Sequence, residues 1–422
     1  MSQKNKKFKF KTKKEKLEIK VKDLLLSSTS HGLPNIFRTQ RKSIKIMWLI
    51  LFALFSTVGT YMVYSTINNY LKYEVVTKLE VIYQKPAEFP AITISNLRNP
   101  KKEINLQDAI LVCTFNDELC DEKDFETINN YGFYSYKFKR NYTMNAGPFN
   151  GLLLLFYLGN EKSDGIGLDG IQIIVHNHSS DSGFYLGSSD KGSAASPGYA
   201  KSFEIKRIYS FKLDEPFSSC LKDTVSINSF DSDLYRYIIQ STNYSYNQKD
   251  CFEYCKGREI NKYLNITNEI DHWKSIITKR LKNFNSLELF KVTKQNFDKI
   301  CVKECPLECD SVKYDLSISF TKLIVERVVS LANELGGIVN PKFKMLTEKD
   351  SQDLVFVNVF YKDLEYTSIS QLPKMDFFDL ISNIGGNLGL FIGISFLSFA
   401  EIIEFIIEVV YILFESKRSL II

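Results

Sequence analysis

Between Ile46 and Leu71 the chain carries no charged residue. A helix of that length, at ~1.5 Å per residue, reaches about 39 Å, which exceeds the ~30 Å hydrocarbon thickness of a bilayer. The run therefore predicts a tilted transmembrane helix. Arg38, Arg41, Lys42 and Lys45 precede it, and clustered positive charge beside a span marks the cytoplasmic side. A second apolar segment runs from about Phe377 to Phe414 and is followed by Lys417 and Arg418, the same signature. The predicted organisation is a cytoplasmic tail (1–45), a first span (46–71), an extracellular domain (72–376), a second span (377–414) and a short cytoplasmic tail (415–422). Such a protein sits in the plasma membrane with lipid around both helices.

Charge distribution narrows the class further. Residues 1–45 hold fourteen Lys or Arg against three Asp or Glu, so the formal charge of +5 conceals a body of about −6. A nucleic-acid-binding surface needs its basic charge on the folded body, so nucleic acid is excluded as a partner. The basic arm from Lys4 to Lys22 lacks the apolar core of a secretory signal and reads as a disordered cytoplasmic tail. With 44% hydrophobic residues the remainder can bury substantial cores.

The long interval between the spans carries two marks of an extracellular compartment. All eight cysteines lie there, an even number suited to disulfides, and so do the four glycosylation sequons at Asn141, Asn177, Asn243 and Asn265. Apolar and β-branched runs at Phe89–Ser95, Leu152–Leu158, Ile171–His176, Phe203–Phe211, Val312–Phe320 and Leu354–Tyr361 predict strands. The region 264–284 and the cysteine-bearing segments read as helical, so the fold class is α+β. Cys251 and Cys255 are four apart, and Cys301, Cys305 and Cys309 repeat that step, which on helices stacks sulfurs along one face. A nested solution pairs Cys255 with Cys301, Cys251 with Cys305 and Cys220 with Cys309, leaving Cys113 with Cys120. Eight cysteines allow 105 pairings, so the spacing does not select this one. A zinc site is the rival, disfavoured outside the cell.

The second apolar segment is more than an anchor. It holds Gly385, Gly386, Gly389 and Gly393, then Glu401, Glu404 and Glu408. Small residues four apart allow close helix approach or a local break. A carboxylate at mid-bilayer depth costs about 2.5–3.5 kcal/mol on insertion scales, so these glutamates should face water or protein. Their i, i+3, i+7 spacing puts them on one face. One helix cannot enclose a lumen. Several copies around an axis can, giving rings of negative charge that attract cations. The alternative places the glutamates, Glu408 above all, at the cytoplasmic end of a long helix below the hydrocarbon.

Five local sequences then become specific. Ser28–Phe37 (STSHGLPNIF), Val76–Leu79 (VTKL), Phe89–Asn96 (FPAITISN), Cys305–Tyr314 (CPLECDSVKY) and Gly385–Ser395 (GGNLGLFIGIS) closely resemble the degenerin/epithelial sodium channel superfamily. The likeness runs from about Ser28 to Tyr411. It implies a homo- or heterotrimeric, sodium-selective, amiloride-sensitive channel with a finger, thumb, palm, knuckle and β-ball outside the cell, the thumb at about 217–312. The cysteine spacing is similar to the thumb ladder of that family, which supports the nested pairing. His31 and Gly32 match the cytoplasmic gating motif. Gly393, Ile394 and Ser395 match the selectivity belt, where the helix is expected to break and present backbone carbonyls. Ser382 matches the degenerin position near the gate, beside Asn383, with Gly386 and Gly389 on the pore helix. Tyr73 and Phe217 match the aromatic pair that couples thumb to first span.

Departures from the pattern also carry expectations. Ile394 is bulky where the family has a small residue, and Asn383 stands where acid-sensing members have Asp. Ser95 and Tyr134 stand where the family often has the two cysteines of one bridge. About seventeen residues separate Ser95 from Cys113, where relatives insert a long finger, so gating by protons is disfavoured. The composition and compact ectodomain resemble the cnidarian peptide-gated sodium channels, and an extracellular peptide is the expected ligand. No cofactor is expected beyond permeant sodium, with extracellular calcium as a candidate modulator. His176 and His178, two apart on a predicted strand, would share a face, with packing favoured over metal. The rival readings are an ATP-gated trimeric channel, which lacks the His-Gly and Gly-x-Ser motifs, and a non-conducting two-pass receptor or adhesion subunit. An enzyme is excluded by the lack of a phosphate loop, a zinc-protease motif or a nucleophile elbow.

Overall fold

The computed structural model describes residues 13–28, 30, 32–130, 133–159, 169–179, 192–241, 245–263, 300–324, 326–327 and 353–418. His31, Asn243, Asn265 and the helix expected over 264–284 lie outside the described residues. The chain forms two units, residues 1–76 with 373–422, and residues 77–372.

The first unit is helical. Helix α1 spans Lys13–Ser27, α2 Leu33–Arg38, α3 Lys42–Tyr70, and two further helices, labelled α6 and α7 below, span Phe377–Ile392 and Phe396–Arg418. The basic arm expected to be disordered is therefore helical from Lys13. Glu18 precedes Lys22 by four residues, which supports a helix locally. An isolated helix of this length is marginal in water, so its contacts with α2 and α7 decide the outcome. Helix α3 is the one helix among the described residues long and apolar enough alone to cross a membrane. Its single buried residue is Gly59. A Cβ built there meets Phe391 Cβ of α6 at 3.1 Å, so the two helices approach through that glycine. Gly59→Val should force Phe391 aside and destabilise the helix pair by about 1–3 kcal/mol. Thermal unfolding of the detergent-solubilised protein reads this, and an unchanged midpoint would remove Gly59 as the contact point.

The second unit is built on two large sheets, with a two-stranded pair of Ala87–Glu88 and Tyr142–Thr143 beside them. Strands are β1 Val75–Tyr83, β2 Ala91–Asn96, β3 Ile110–Phe115, β4 Phe125–Asn130, β5 Phe133–Phe138, β6 Leu152–Tyr157, β7 Ile171–His176, β8 Ser193–Ala195, β9 Tyr199–Phe211, β10 Asp310–Lys322 and β11 Leu354–Pro373. The seven-stranded sheet runs β10-β9-β11-β6-β3 and ends on the two-residue strand Glu118–Leu119, with β1 also on β11. The five-stranded sheet runs β8-β7-β2-β5-β4. Strand β2 begins at Ala91, two residues later than expected, because Pro90 has no N–H to give a ladder. Strand β11 runs past Tyr361 to Pro373 through a bulge: its register with β9 steps from Ile205↔Tyr361 to Arg207↔Tyr366.

One core joins these sheets. Phe89 and Phe138 are fully buried, and the Phe89 ring meets Phe115 at 4.9 Å and Tyr361 at 5.6 Å, both edge-on. At the bulge the buried Arg207 guanidinium lies 5.0 Å from the Tyr361 ring centroid and 5.3 Å from that of Tyr366, and donates to Gln84 Oε1 at 2.8 Å.

The bridges are Cys113–Cys120, Cys220–Cys309, Cys251–Cys305 and Cys255–Cys301. Cys251 and Cys255 stack on α5 (Gln248–Tyr263), which packs against α4 (Asp233–Ser241) around the buried Leu234, Tyr235 and Ile238. Cys301 and Cys305 flank one helical turn. Cys309 does not continue it, because the chain turns extended at Pro306 and pairs Glu308 with Leu221.

Two sequence expectations about side-chain pairing need correction. Ser95 faces Ser135, not Tyr134: the register pairs Ser95 with Ser135, and the buried hydroxyls share a hydrogen bond of 2.7 Å. Tyr134, one residue off, points to the opposite face of the sheet. His178 lies beyond the end of β7 and does not share a strand face with His176. His176 Nε2 contacts Thr93 Oγ1 at 2.9 Å, whereas His178 Nε2 contacts the Phe89 carbonyl at 3.0 Å.

Candidate ion path

The second apolar segment is two helices. Asp376 starts α6 with a reciprocal capping box: its side chain accepts from the Asp379 N–H at 2.7 Å, and its own N–H donates to Asp379 Oδ2 at 3.1 Å. Gly393 ends the helix in the left-handed region at φ 74, ψ 21. There its N–H donates to Gly389 O at 3.1 Å and that of Ile394 to Leu388 O at 3.3 Å, the closing pattern of a glycine-terminated helix. The chain resumes helix at Phe396, and the two helices are bent by 77°. The apolar segment 377–414 is therefore broken where the selectivity-belt resemblance placed the break, and Gly393, Ile394 and Ser395 are its residues. Ser398, a residue the sequence reading passed over, sits in the first turn of α7 and accepts from the Ser395 N–H at 3.1 Å, the reciprocal half of a capping box.

The expected pore residues fall on both sides of this break. On α6, Ser382, Asn383, Gly385, Gly386 and Gly389 are exposed, and nothing lies within 4 Å of a Cβ built at Gly385 or Gly386. The small-residue face is thus open in a single chain. Asn387 Nδ2 reaches Thr66 Oγ1 of α3 at 3.4 Å. On α7, Glu404 is exposed, and Glu401 and Glu408 are half-buried. Glu408 is bound by Lys20 of α1, whose Nζ stands 2.7 Å from its carboxylate.

The segment before the first span returns to the break. Ser30 Oγ donates to the Ile392 carbonyl at 3.1 Å, the last residue of α6. Gly32, at φ 94, opens α2, and a Cβ there would meet Phe52 at 3.4 Å. A cavity of about 480 Å³ lies between Gly32, Trp48, Phe52 and Phe55 on one side and Gly389 and Leu390 on the other. His31 itself is outside the described residues.

The coupling and glycosylation residues are distributed as follows. Tyr73 closes the turn after α3 at φ 51, its ring 6.1 Å from Tyr70. Next to it, Glu74 binds Lys374 at 2.6 Å, joining the chain just after α3 to the chain just before α6. Phe217 belongs to the other unit, in a turn where its N–H donates to Asp214 O at 2.9 Å. Asn141 is exposed and Asn177 half-buried. Among the described residues no group of three or more His, Cys, Asp or Glu is placed to hold a metal ion.

Comparison with known proteins gives this arrangement its context. The chain matches the family described as amiloride-sensitive sodium channel over residues 24–104 and 95–405. The FMRFamide-activated amiloride-sensitive sodium channel of Cornu aspersum is 24% identical, the alignment covering 95% of this chain and 84% of that protein. A bile acid-sensitive ion channel of Rattus norvegicus is 21% identical over 93% of this chain and 88% of its own. The epithelial sodium channel subunit gamma of the same species is 24% identical over 83% of this chain and 52% of its own. These relatives are ion channels, not enzymes. Since the family pattern takes in both the segment leading into α3 and the broken helix pair, the chain belongs to the amiloride-sensitive sodium channel family, the degenerin/epithelial sodium channel superfamily.

Proposed function

We propose that this chain is one subunit of a trimeric, amiloride-sensitive sodium channel in the plasma membrane, opened by an extracellular peptide. Its α3 and the broken pair α6–α7 form two spans, both termini are cytoplasmic, and the disulfide-bonded unit faces outside. The observation that carries the reading is the helix break at Gly393–Ser395. Carbonyls released from the helical ladder at such a break, those of Gly393 and Ile394, give a cation oxygen ligands that an intact helix withholds, whereas the Ser395 carbonyl accepts from the Ser398 N–H at 3.0 Å. The open glycine face of α6 supports close packing of further copies about an axis. His31 and Gly32 serve gating in this reading, and Tyr73 with Phe217 couples the agonist-binding unit to the gate.

A peptide agonist follows from the FMRFamide-activated relative and from the acidic body of this chain, which attracts a cationic peptide. Oocytes expressing the subunit, alone and with related subunits, should give inward current on applying Arg-Phe-amide peptides. That current should vanish when sodium is replaced by a large organic cation, and amiloride should block it. Surface expression without current in any combination would refute the proposal.

Acid should not replace the peptide. Outside the spans, Glu74, Glu122, Asp124 and Asp223 all hold their protons more weakly than usual. The causes are hydrogen bonds from Lys374 to Glu74 and from Gln107 to Glu122. Burial raises Asp124, but hydrogen bonds from Arg140 and the Asp121 backbone outweigh it. Hydrogen bonds from Ser226 and the Val225 backbone bring Asp223 to about 2. A lowered carboxylate stays ionised until the pH falls below its ordinary value, and burial moves the charging of His178 to lower pH. A step from about pH 7.4 to about pH 5.5 therefore leaves these four carboxylates ionised and should evoke under about a tenth of the peptide current. A full-sized acid response would contradict this.

A further inference from the structure

We infer that Lys20 sets the charge at the inner end of the ion path by neutralising Glu408. The inference rests on the pore reading above and adds to it a residue from the N-terminal arm. Glu408, one of the three glutamates that share a face of α7, is held by a lysine: Lys20 Nζ lies 2.7 Å from its carboxylate. The two side chains remain 41% and 38% exposed. A pair so open adds little to stability, because water screens it. Its main consequence is therefore electrostatic. With Lys20 present, each subunit presents a neutral pair at this depth. Without it, each presents a full negative charge.

The surroundings support a permanently charged lysine. The hydrogen bond with Glu408 is the largest influence and holds the ammonium above its ordinary value against partial desolvation, helped by the fields of Glu408, Asp23 and Glu404. Helix α1 is also held at a second point on the same path: three residues beyond its end, Ser30 is bonded to the Ile392 carbonyl at the break. Lys20 is thus delivered to α7 by a helix whose following segment is anchored at the break through Ser30. Cations entering from the cytoplasm meet this site early, and local cation concentration responds to uncompensated charge.

Inside-out patches from cells expressing the full chain test this. Lys20→Gln should raise outward sodium conductance about twofold at low ionic strength, with the gain shrinking as salt approaches physiological levels. Lys20→Arg should match the parent. The swap Lys20→Glu with Glu408→Lys should return conductance toward the parent, whereas Lys20→Glu alone should exceed Lys20→Gln. A readout independent of current is zero-length carbodiimide coupling in membranes, which joins an amine to a carboxylate in direct contact. The Lys20–Glu408 peptide pair should be recovered by mass spectrometry and be absent from Lys20→Arg. If Glu404→Gln lowers conductance while every Lys20 variant matches the parent, or if no coupled peptide forms, the role of Lys20 is overturned and the pore reading stands. If Glu401→Gln, Glu404→Gln and Glu408→Gln all leave conductance unchanged, the pore reading itself fails.

Discussion

Gly393→Val is expected to cut peak sodium current roughly tenfold while leaving the protein at the cell surface. At φ 74 a β-branched residue is strained by about 1–3 kcal/mol, and 1.4 kcal/mol already shifts an equilibrium tenfold. The strain favours rejoining α6 and α7 into a straighter helix, which withdraws the carbonyls of Gly393 and Ile394 from the path. A graded series separates backbone shape from bulk. Asn tolerates the left-handed region and should retain most current, Ala should be intermediate, and Val should be lowest. Voltage clamp paired with surface biotinylation reads the series. Equal currents from Asn and Val would show that the left-handed turn is dispensable.

Arg98→Ala is the second large effect, and it falls on folding. The guanidinium is buried, with its side chain 6% exposed. It grips Asp169 through Nε at 2.7 Å and Nη2 at 3.0 Å, Asp353 through Nη1 at 2.7 Å, and the Gly159 carbonyl. These partners stand at the start of β7, just before β11 and just after β6, so one side chain clips both sheets together. Its loss leaves Asp353, 18% exposed, without its cation. Removing one partner of a buried pair is destabilising by about 3–5 kcal/mol. The half-exposed Asp169 puts this case near the lower end, and surface expression should fall severalfold. Arg236 is the internal control. It also binds two aspartates, at 3.0 and 2.7 Å, but those are 99% and 96% exposed, so Arg236→Ala should leave stability and surface expression nearly unchanged. If both variants behave alike, burial is not what gives Arg98 its weight.

What the sequence revealed followed physical rules of short range. Runs such as Ile171–His176 and Leu152–Tyr157 declare themselves as strands because a doubly covered strand must be apolar throughout. The uncharged stretch in α3 and the glycines of α6 are legible for the same reason: their composition is dictated locally. The features missed depend on distant partners. Arg98 and Asp353 are 255 residues apart, and Lys20 and Glu408 are 388 apart, so neither pairing leaves a periodic trace. Helix α1 looked like a solvated lysine tail because the contacts that hold it come from α2 and α7. Ser95 was matched with the wrong neighbour by one residue, an error that period-two geometry turns into the opposite face of the sheet. The nested bridges were one of many allowed sets, selected by three-dimensional proximity.

The central claim is that one face of the stretch from 393 to 408 borders water through which cations pass. All eight native cysteines are in disulfides, so a single introduced thiol can be labelled against a quiet background. Glu404→Cys and Ser395→Cys should be modified by a charged, water-soluble thiol reagent in intact membranes, and Ile403→Cys and Ile406→Cys, facing away, should be protected. Protection at all four positions, or equal labelling around the helix, would contradict the account.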